Sequence, residues 1–382
     1  MDVIVIGGGI VGLSASYYLA ERGADVRLFE KGSLGNGSTA RSAGGIRSQF
    51  DTAVNVELSL ASKRVWNAFE DRFGVDMAYR KTGYLFLARS EAVAETFREN
   101  VQMQRDLGAE SEFLTPEEAR EHCEGLSAEQ FVAATYNGDD GFADPNLAVQ
   151  GYAGGVREAG VDIRTGTAVT DLRQDDEAVV GVVTGDGRFD ADFVVNAGGP
   201  YATEIGRMAG ASLPIHPRRR QIAVVDATRP VPEDDPLTID LETGSYFRPE
   251  REGAALVGGH FAEDDPNQDP DSHDDSMELA WAADAVERAA EWTRYFDAET
   301  RIKRGWAGLY AVTPDNHPVI EESVPGLITA SGFSGHGFQH APATGQIVAD
   351  LVFEAKPQLV DVSALTADRF ERGEAMVEKN VV

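Results

Sequence analysis

Met1-Asp2-Val3-Ile4-Val5-Ile6-Gly7-Gly8-Gly9-Ile10-Val11-Gly12 opens the chain, and the run continues through Ala15, Leu19 and Gly23 to Val26-Arg27-Leu28-Phe29-Glu30. Val3 to Ile6 is a short apolar run suited to a buried strand. Gly7, Gly9 and Gly12 follow at G-x-G-x-x-G spacing. Ile10 to Arg22 carries helix formers with Ala15 and Leu19 on one face, Gly23 ends that helix, and Val26 to Phe29 reads as a second strand. Strand, glycine turn, helix, strand and terminal acid together specify a dinucleotide-binding unit.

Each part has a physical role. Gly7 permits the tight turn, Gly9 lets backbone approach a pyrophosphate, and Gly12 lets the helix pack close to the sheet. The helix start at Ile10 and Val11 offers free N–H donors and a positive dipole end to phosphate. Glu30, 18 positions after Gly12 and followed by Lys31, is placed to accept hydrogen bonds from a ribose. The unit alone leaves FAD and NAD(P) both open.

The 382 residues suffice for one large or two ordinary domains. With 64 acidic and 34 basic residues the net charge is −30, which repels nucleic acid and anionic lipid. Apolar content is that of a globular chain, so the acidity does not signal disorder. Acids are densest from Glu263 to Asp275 but spread throughout, the expectation being a salt-adapted, halophilic surface. Cys123 is the only cysteine, which excludes an intrachain disulfide and a cysteine metal cluster; no metal is expected. Met1 leads straight into the first strand, leaving no room for a signal peptide, and no apolar stretch approaches the ~20 residues of a membrane helix. The expectation is a soluble, cytoplasmic protein.

Further along, Asn55 to Phe73, Glu91 to Gly108, a helix opened by Asp144-Pro145 and ending at Val156, Met277 to Phe296 and Thr344 to Phe353 read as helices. Thr115-Pro116-Glu117-Glu118 is a helix start. Strand patterns lie at Gly83 to Ala88, Val161 to Arg164, Ala168 to Arg173, Val179 to Thr184, Phe193 to Ala197, Arg218 to Asp226, Leu237 to Leu241, Ser245 to Arg248, Ala254 to Gly258 and Leu327 to Ala330. The two strand clusters alternate. This predicts an α/β (α+β overall) chain, with a discontinuous Rossmann-like dinucleotide domain (1–81, 145–215 and 299–382) interleaved with a mixed-sheet substrate domain (82–144 and 216–298).

Ser331-Gly332-Phe333-Ser334-Gly335-His336-Gly337-Phe338-Gln339 follows a strand and precedes a helix. With the N-terminal unit, Asn196 to Pro200 and Trp306-Ala307-Gly308-Leu309-Tyr310, it resembles the flavoprotein family of D-amino-acid, glycine and sarcosine oxidases along the whole chain. Ser38-Thr39, Gly44 to Phe50, Thr82 to Phe86 and Tyr246 to Pro249 resemble most the branch of proline dehydrogenase and sarcosine oxidase beta subunits and of a mitochondrial complex I assembly protein. The resemblance implies non-covalent FAD, held by the N-terminal unit together with Ser38, Thr39, Ser42, Ala43, Gly44, Val169, Ala197, Gly198, Gly308 and Gly332. Gly335, His336, Gly337 and Phe338 would face the flavin carbonyl edge with backbone N–H groups, and Gln339 beside them, also counted with the cofactor site, can hydrogen-bond a carboxylate without adding charge.

It also implies oxidation of a small amino acid or secondary amine, sarcosine-, proline- or glycine-like, with hydride passing to flavin. Arg47 is the expected carboxylate anchor, because a guanidinium grips a carboxylate in two parallel bonds; Arg41 is its rival and Arg248 reads as structural. Tyr246 is an expected hydrogen-bond donor, and His260 and His336 expected proton handlers. The D-amino-acid and glycine oxidases carry an arginine where this chain has Tyr310, and monomeric sarcosine oxidases a lysine where it has Gln339. The strand Ala255 to His260 lacks the lysine that those enzymes use towards oxygen, which favours a dehydrogenase with an unidentified electron acceptor. Hetero-oligomer subunits are expected partners. The alternatives are an NAD(P)-dependent oxidoreductase and a non-catalytic flavoprotein assembly factor or subunit.

Overall fold

In the computed structural model, which describes residues 1–262 and 264–381, the opening run forms the strand Asp2–Ile6. It pairs in parallel with Asp25–Phe29 on one side and Phe193–Asn196 on the other. The six-stranded sheet runs Val319–Val324, Leu327–Ser331, Phe193–Asn196, Asp2–Ile6, Asp25–Phe29, Asp162–Arg164, with only its first pair antiparallel. Val3 and Val5 face a core shared with the helices Ile10–Glu21, Pro145–Glu158 and Gly337–Glu354. Ile4 and Ile6 face the opposite core, shared with Leu172 and Val182 of a three-stranded antiparallel sheet. A central strand covered on both faces needs an unbroken apolar run, which is why the sequence does not alternate here.

The second sheet has eight strands in the order Arg301–Val312, His216–Asp226, Ala254–Gly258, Ser245–Pro249, Leu237–Asp240, Tyr84–Ala88, Ala133–Asn137, Glu112–Leu114. Period-2 alternation sets its two faces. Leu85, Leu87, Phe247 and Val257 pack beneath the helix Leu279–Trp292, while Tyr84, Phe86, Tyr246 and Leu256 point to the other side. That other side is where the site lies.

Several elements depart from the sequence expectation. The helix expected over Asn55 to Phe73 breaks at Ala68 into Ala53–Asn67 and Phe69–Phe73. The one expected over Met277 to Phe296 is confined to Leu279–Trp292. The last expected helix starts seven residues early, at Gly337 rather than Thr344, and carries Pro342 inside it. Glycine and proline weaken the local helix signal there, and burial of Phe338, Ala341, Ile347 and Val348 outweighs it. The unit expected from 299 onward begins instead with a strand of the second sheet: Arg301–Val312 pairs antiparallel with His216–Asp226 along its length. Charged and glycine residues hid that strand, and cross-strand pairing supplies what its own pattern lacks. Glu263, where the acid-dense stretch was expected to begin, and Val382, where the last unit was expected to end, lie outside the described residues. No helix among the described residues is long and apolar enough to cross a membrane.

Candidate functional site

A cavity of about 670 Å3 is lined by both sheets, a size suited to a cofactor. Gly7, Gly9, Ile10, Val11, Glu30, Lys31, Val169, Ala197 and Gly198 line it, and so do Ser38, Thr39, Ser42, Gly308, Gly332, Gly335, Gly337 and Phe338. At Gly7 φ is +107°, and a Cβ there would lie 2.4 Å from the Ala197 carbonyl oxygen. A Cβ on Gly12 would lie 1.9 Å from the Gly7 oxygen, so this glycine sets how closely helix and strand approach. Around Gly9 the nearest atom to such a Cβ is Thr39 Oγ1 at 3.4 Å, leaving backbone open to the cavity.

The helices Ile10–Glu21 and Gly337–Glu354 both begin without a cap from their own N-cap side chain, although Ile10 N donates to Thr39 Oγ1 at 3.2 Å, and their first turns border this one cavity. Free N–H groups and the positive dipole ends would otherwise go unused there. An elongated anion carrying a second electron-rich edge fits such a site, so the residues present fit FAD. Glu30 accepts from Gly8 N at 2.7 Å and from Gly32 N at 2.6 Å, shaping the loop while still lining the cavity. Lys31 is tied to Asp271 and, at 2.8 Å, to the Tyr201 hydroxyl.

A smaller pocket of about 90 Å3 adjoins the first, sharing Ser42, Tyr246, Tyr310 and Gly335 with it. Its other lining residues are Ala43, Gly45, Arg47, Tyr84, Leu237, Ile239, His336, Gln339 and Val381. Three tyrosine rings shape it, each resting on a glycine where a Cβ would collide: Tyr84 on Gly45, Tyr246 on Gly258 and Tyr310 on Gly335. Burial raises the pKa of all three phenols, so they remain neutral donors.

The Arg47 guanidinium is buried, lies 3.8 Å from the Phe50 ring centroid, and donates to the Gln49 and Asn380 carbonyls. Those two bonds use two of its five N–H donors. Burial lowers its pKa, and nearby Glu378 and Tyr84 oppose that shift. Its own backbone N–H donates to Gln339 Oε1 at 2.7 Å, and the Gln339 carbonyl accepts from Trp66 Nε1 at 2.8 Å. The loop carrying Arg47 is also tied down from beneath. Asp140 accepts from Ser48 N and from Lys63 Nζ, both at 2.9 Å, and Lys63 is itself buried.

Three expected residues have other places. Gly44 lines neither cavity; a Cβ there would lie 2.0 Å from the Ala143 oxygen, so it serves backbone packing. His260 also lines neither, because the strand ends at Gly258 and the turn that follows sets its ring beside Asp265, 3.8 Å away, among Arg218 and Arg220. His336 borders the small pocket with its ring already engaged. Nε2 lies 2.9 Å from the Asn316 carbonyl and must carry the proton, so Nδ1 accepts from His340 Nδ1 at 3.3 Å. Burial holds both imidazoles well below their usual pKa, so His336 stands neutral with both ring nitrogens already partnered. Ala43 and Gln339 line the small pocket, not the long cavity. Sequence reading missed Tyr84, although Thr82 to Phe86 had been singled out, and it missed Val381, for which no local signal exists.

A two-sheet frame with a glycine cradle, two helix starts and an adjoining small pocket defines a dinucleotide-binding protein. The chain belongs to the family of FAD dependent oxidoreductases (DAO), whose pattern matches residues 2–351. FAD is therefore its cofactor. Glycine oxidase of Geobacillus kaustophilus (strain HTA426) is 30% identical, with 96% of this chain and 97% of that protein covered. FAD-dependent oxidoreductase domain-containing protein 1 of Bos taurus is 30% identical, with 99% and 86% covered. Among solved structures, L-proline dehydrogenase from P. horikoshii superposes with a TM-score of 0.88 at 33% identity, covering 98% of each chain.

Proposed function

We propose that this chain oxidises the C–N bond of a small amino acid or secondary amine, sarcosine-, proline- or glycine-like. The observation that carries the reading is the small pocket: Arg47, whose guanidinium is buried, and the neutral Tyr84, Tyr246 and Tyr310 line about 90 Å3 that adjoins the cofactor cavity. When bound, FAD supplies the two-electron acceptor for hydride from the carbon beside nitrogen.

The protein's own residues would bind and orient the substrate. Arg47, braced by Phe50 and by the Gln339 bond, would hold the carboxylate, and Tyr84, Tyr246 and Tyr310 would fix the remaining polar atoms. Among the described residues lining the pocket there is no carboxylate or lysine, and His336 is engaged. The amine therefore reaches its neutral form by losing a proton to solvent. Glycine oxidase and L-proline dehydrogenase among the similar proteins support an amino-acid substrate. Cys123 is buried in the core under the helix Leu279–Trp292, which supports non-covalent FAD.

A dehydrogenase is favoured over a fast oxidase. The strand Ala254–Gly258 carries no lysine, and Arg220, which lines the cavity, is neutralised by Asp265 through two bonds of 2.9 Å. Anaerobic titration of the purified flavoprotein with sarcosine, L- and D-proline, glycine and other D-amino acids tests the reading, with reoxidation in air separating oxidase from dehydrogenase.

A further inference from the structure

The small pocket is closed by a segment distant in sequence from its other walls. Val381 lines it beside Arg47, Tyr84 and Tyr246. Asn380, one residue earlier, accepts from Arg47 through its carbonyl, and its Nδ2 lies 3.4 Å from the Gln49 carbonyl. The segment is held by Glu378, which is fully buried. Glu378 Oε1 accepts from Asp51 N and Asn380 N, at 3.0 and 3.1 Å. Oε2 accepts from Thr52 Oγ1 and Asn55 Nδ2, at 2.7 and 3.0 Å. Its backbone N–H bonds the Asp315 carbonyl and its carbonyl accepts from Asn316 Nδ2. Residues 373–377 just before it are exposed and make no comparable contacts, so the anchoring is concentrated where the segment meets the pocket.

We propose that Glu378–Val381 is the specificity wall of the amine pocket: Val381 limits the bulk of the substrate's carbon skeleton, and Glu378 positions that wall. The inference rests on the amine reading of the pocket. A buried carboxylate with four donors fixes position far better than apolar contact alone. An aliphatic side chain at a pocket wall discriminates by single methylenes, at roughly 10- to 200-fold per methylene. The substrates admitted would be small amino acids with a short N-substituent or a five-membered ring, and those excluded would carry one or two further carbons.

The test uses the full-length, FAD-loaded protein and its Val381→Ala, Val381→Phe and Glu378→Gln variants. kcat/KM is measured for two pairs differing by one methylene: sarcosine against N-ethylglycine, and L-proline against L-pipecolate. Val381→Ala should raise the larger-to-smaller ratio about tenfold. Val381→Phe should lower it, and Glu378→Gln should shift it the same way as Val381→Ala. Glu378→Gln should also speed amide hydrogen exchange at Asn380, a readout independent of turnover. Unchanged ratios in both Val381 variants, with wild type turning over, would overturn the wall and leave the amine reading standing. Loss of bound flavin in Val381→Ala would also overturn it, since Val381 would then serve the fold. Wild type that no amine reduces would remove the amine reading and the wall with it.

Discussion

The backbone N–H of Arg47 donates to Gln339 Oε1 at 2.7 Å, joining two residues 292 positions apart. This bond sets the Arg47 loop against the start of the helix Gly337–Glu354, which borders the cofactor cavity. Gln339→Ala should leave a buried N–H unpaired, at a cost of about 1–3 kcal/mol. The expected result in steady-state kinetics is a raised KM for carboxylate substrates with kcat less affected. Arg47→Ala should raise that KM further, by about 1.5–3 kcal/mol for a lost charge-assisted bond, while flavin stays bound. Equal KM in wild type and both variants would show that neither residue serves the carboxylate.

Gly12→Val should weaken cofactor retention. Its Cβ would sit 1.9 Å from the Gly7 oxygen, forcing helix and strand apart where the cradle depends on their contact. Overpacking of this kind costs roughly 1–3 kcal/mol. The ratio of flavin absorbance to protein absorbance after gel filtration measures the outcome, and a wild-type ratio would contradict the cradle.

The Asp51–Glu378 pair makes stability fall as pH rises. Burial, and then the neighbouring Glu378 carboxylate, push the Asp51 carboxyl up to about 8. Burial would raise Glu378 too, but hydrogen bonds from Asp51 and Asn55 and the charge of Arg47 hold it at about 2. The folded pair thus keeps one proton where the unfolded chain has lost both. Stability from Asp51 is present below its unfolded pKa of about 4 and is lost as pH rises through 8. Between pH 7 and 9, above the range in which the buried His336 and His340 would add an opposite slope, melting temperatures should fall for wild type and be flatter for Asp51→Asn. A parallel decline in both would remove the pair as the cause.

Salt should stabilise the protein. The net charge of −30 makes self-repulsion the dominant surface term, and molar KCl screens it. Exposed ion pairs such as Lys31–Asp271 and Arg41–Asp275 weaken under the same screening, but such pairs contribute little each. The melting temperature is expected to climb with KCl. A flat or falling curve would remove the salt-adapted reading of the surface.

The cofactor end was legible in the sequence because its signals are local. Gly7, Gly9, Gly12 and Glu30 lie within one strand-helix-strand unit, and backbone needs alone dictate the glycines. The small pocket proposed for the substrate was legible only in part. Arg47, Tyr246 and Gln339 came from short motifs, whereas Tyr84 joins them by strand alternation and Val381 by a return of the chain from over 300 residues away. The partners of the His336 ring, Asn316 and His340, fix its tautomer through contacts that no spacing reveals. Arg301–Val312 was missed because its strand character comes from its partner His216–Asp226 rather than from its own residues.

The most direct test of the central claim is anaerobic titration of the bound flavin with carboxylate-bearing amines, namely sarcosine, L- and D-proline and glycine, run against pyrrolidine and dimethylamine. At least one amino acid should bleach the flavin, and its decarboxylated counterpart should do so far less well, since Arg47 would have nothing to hold. Bleaching by no amine, or equal bleaching with and without the carboxylate, would contradict the account.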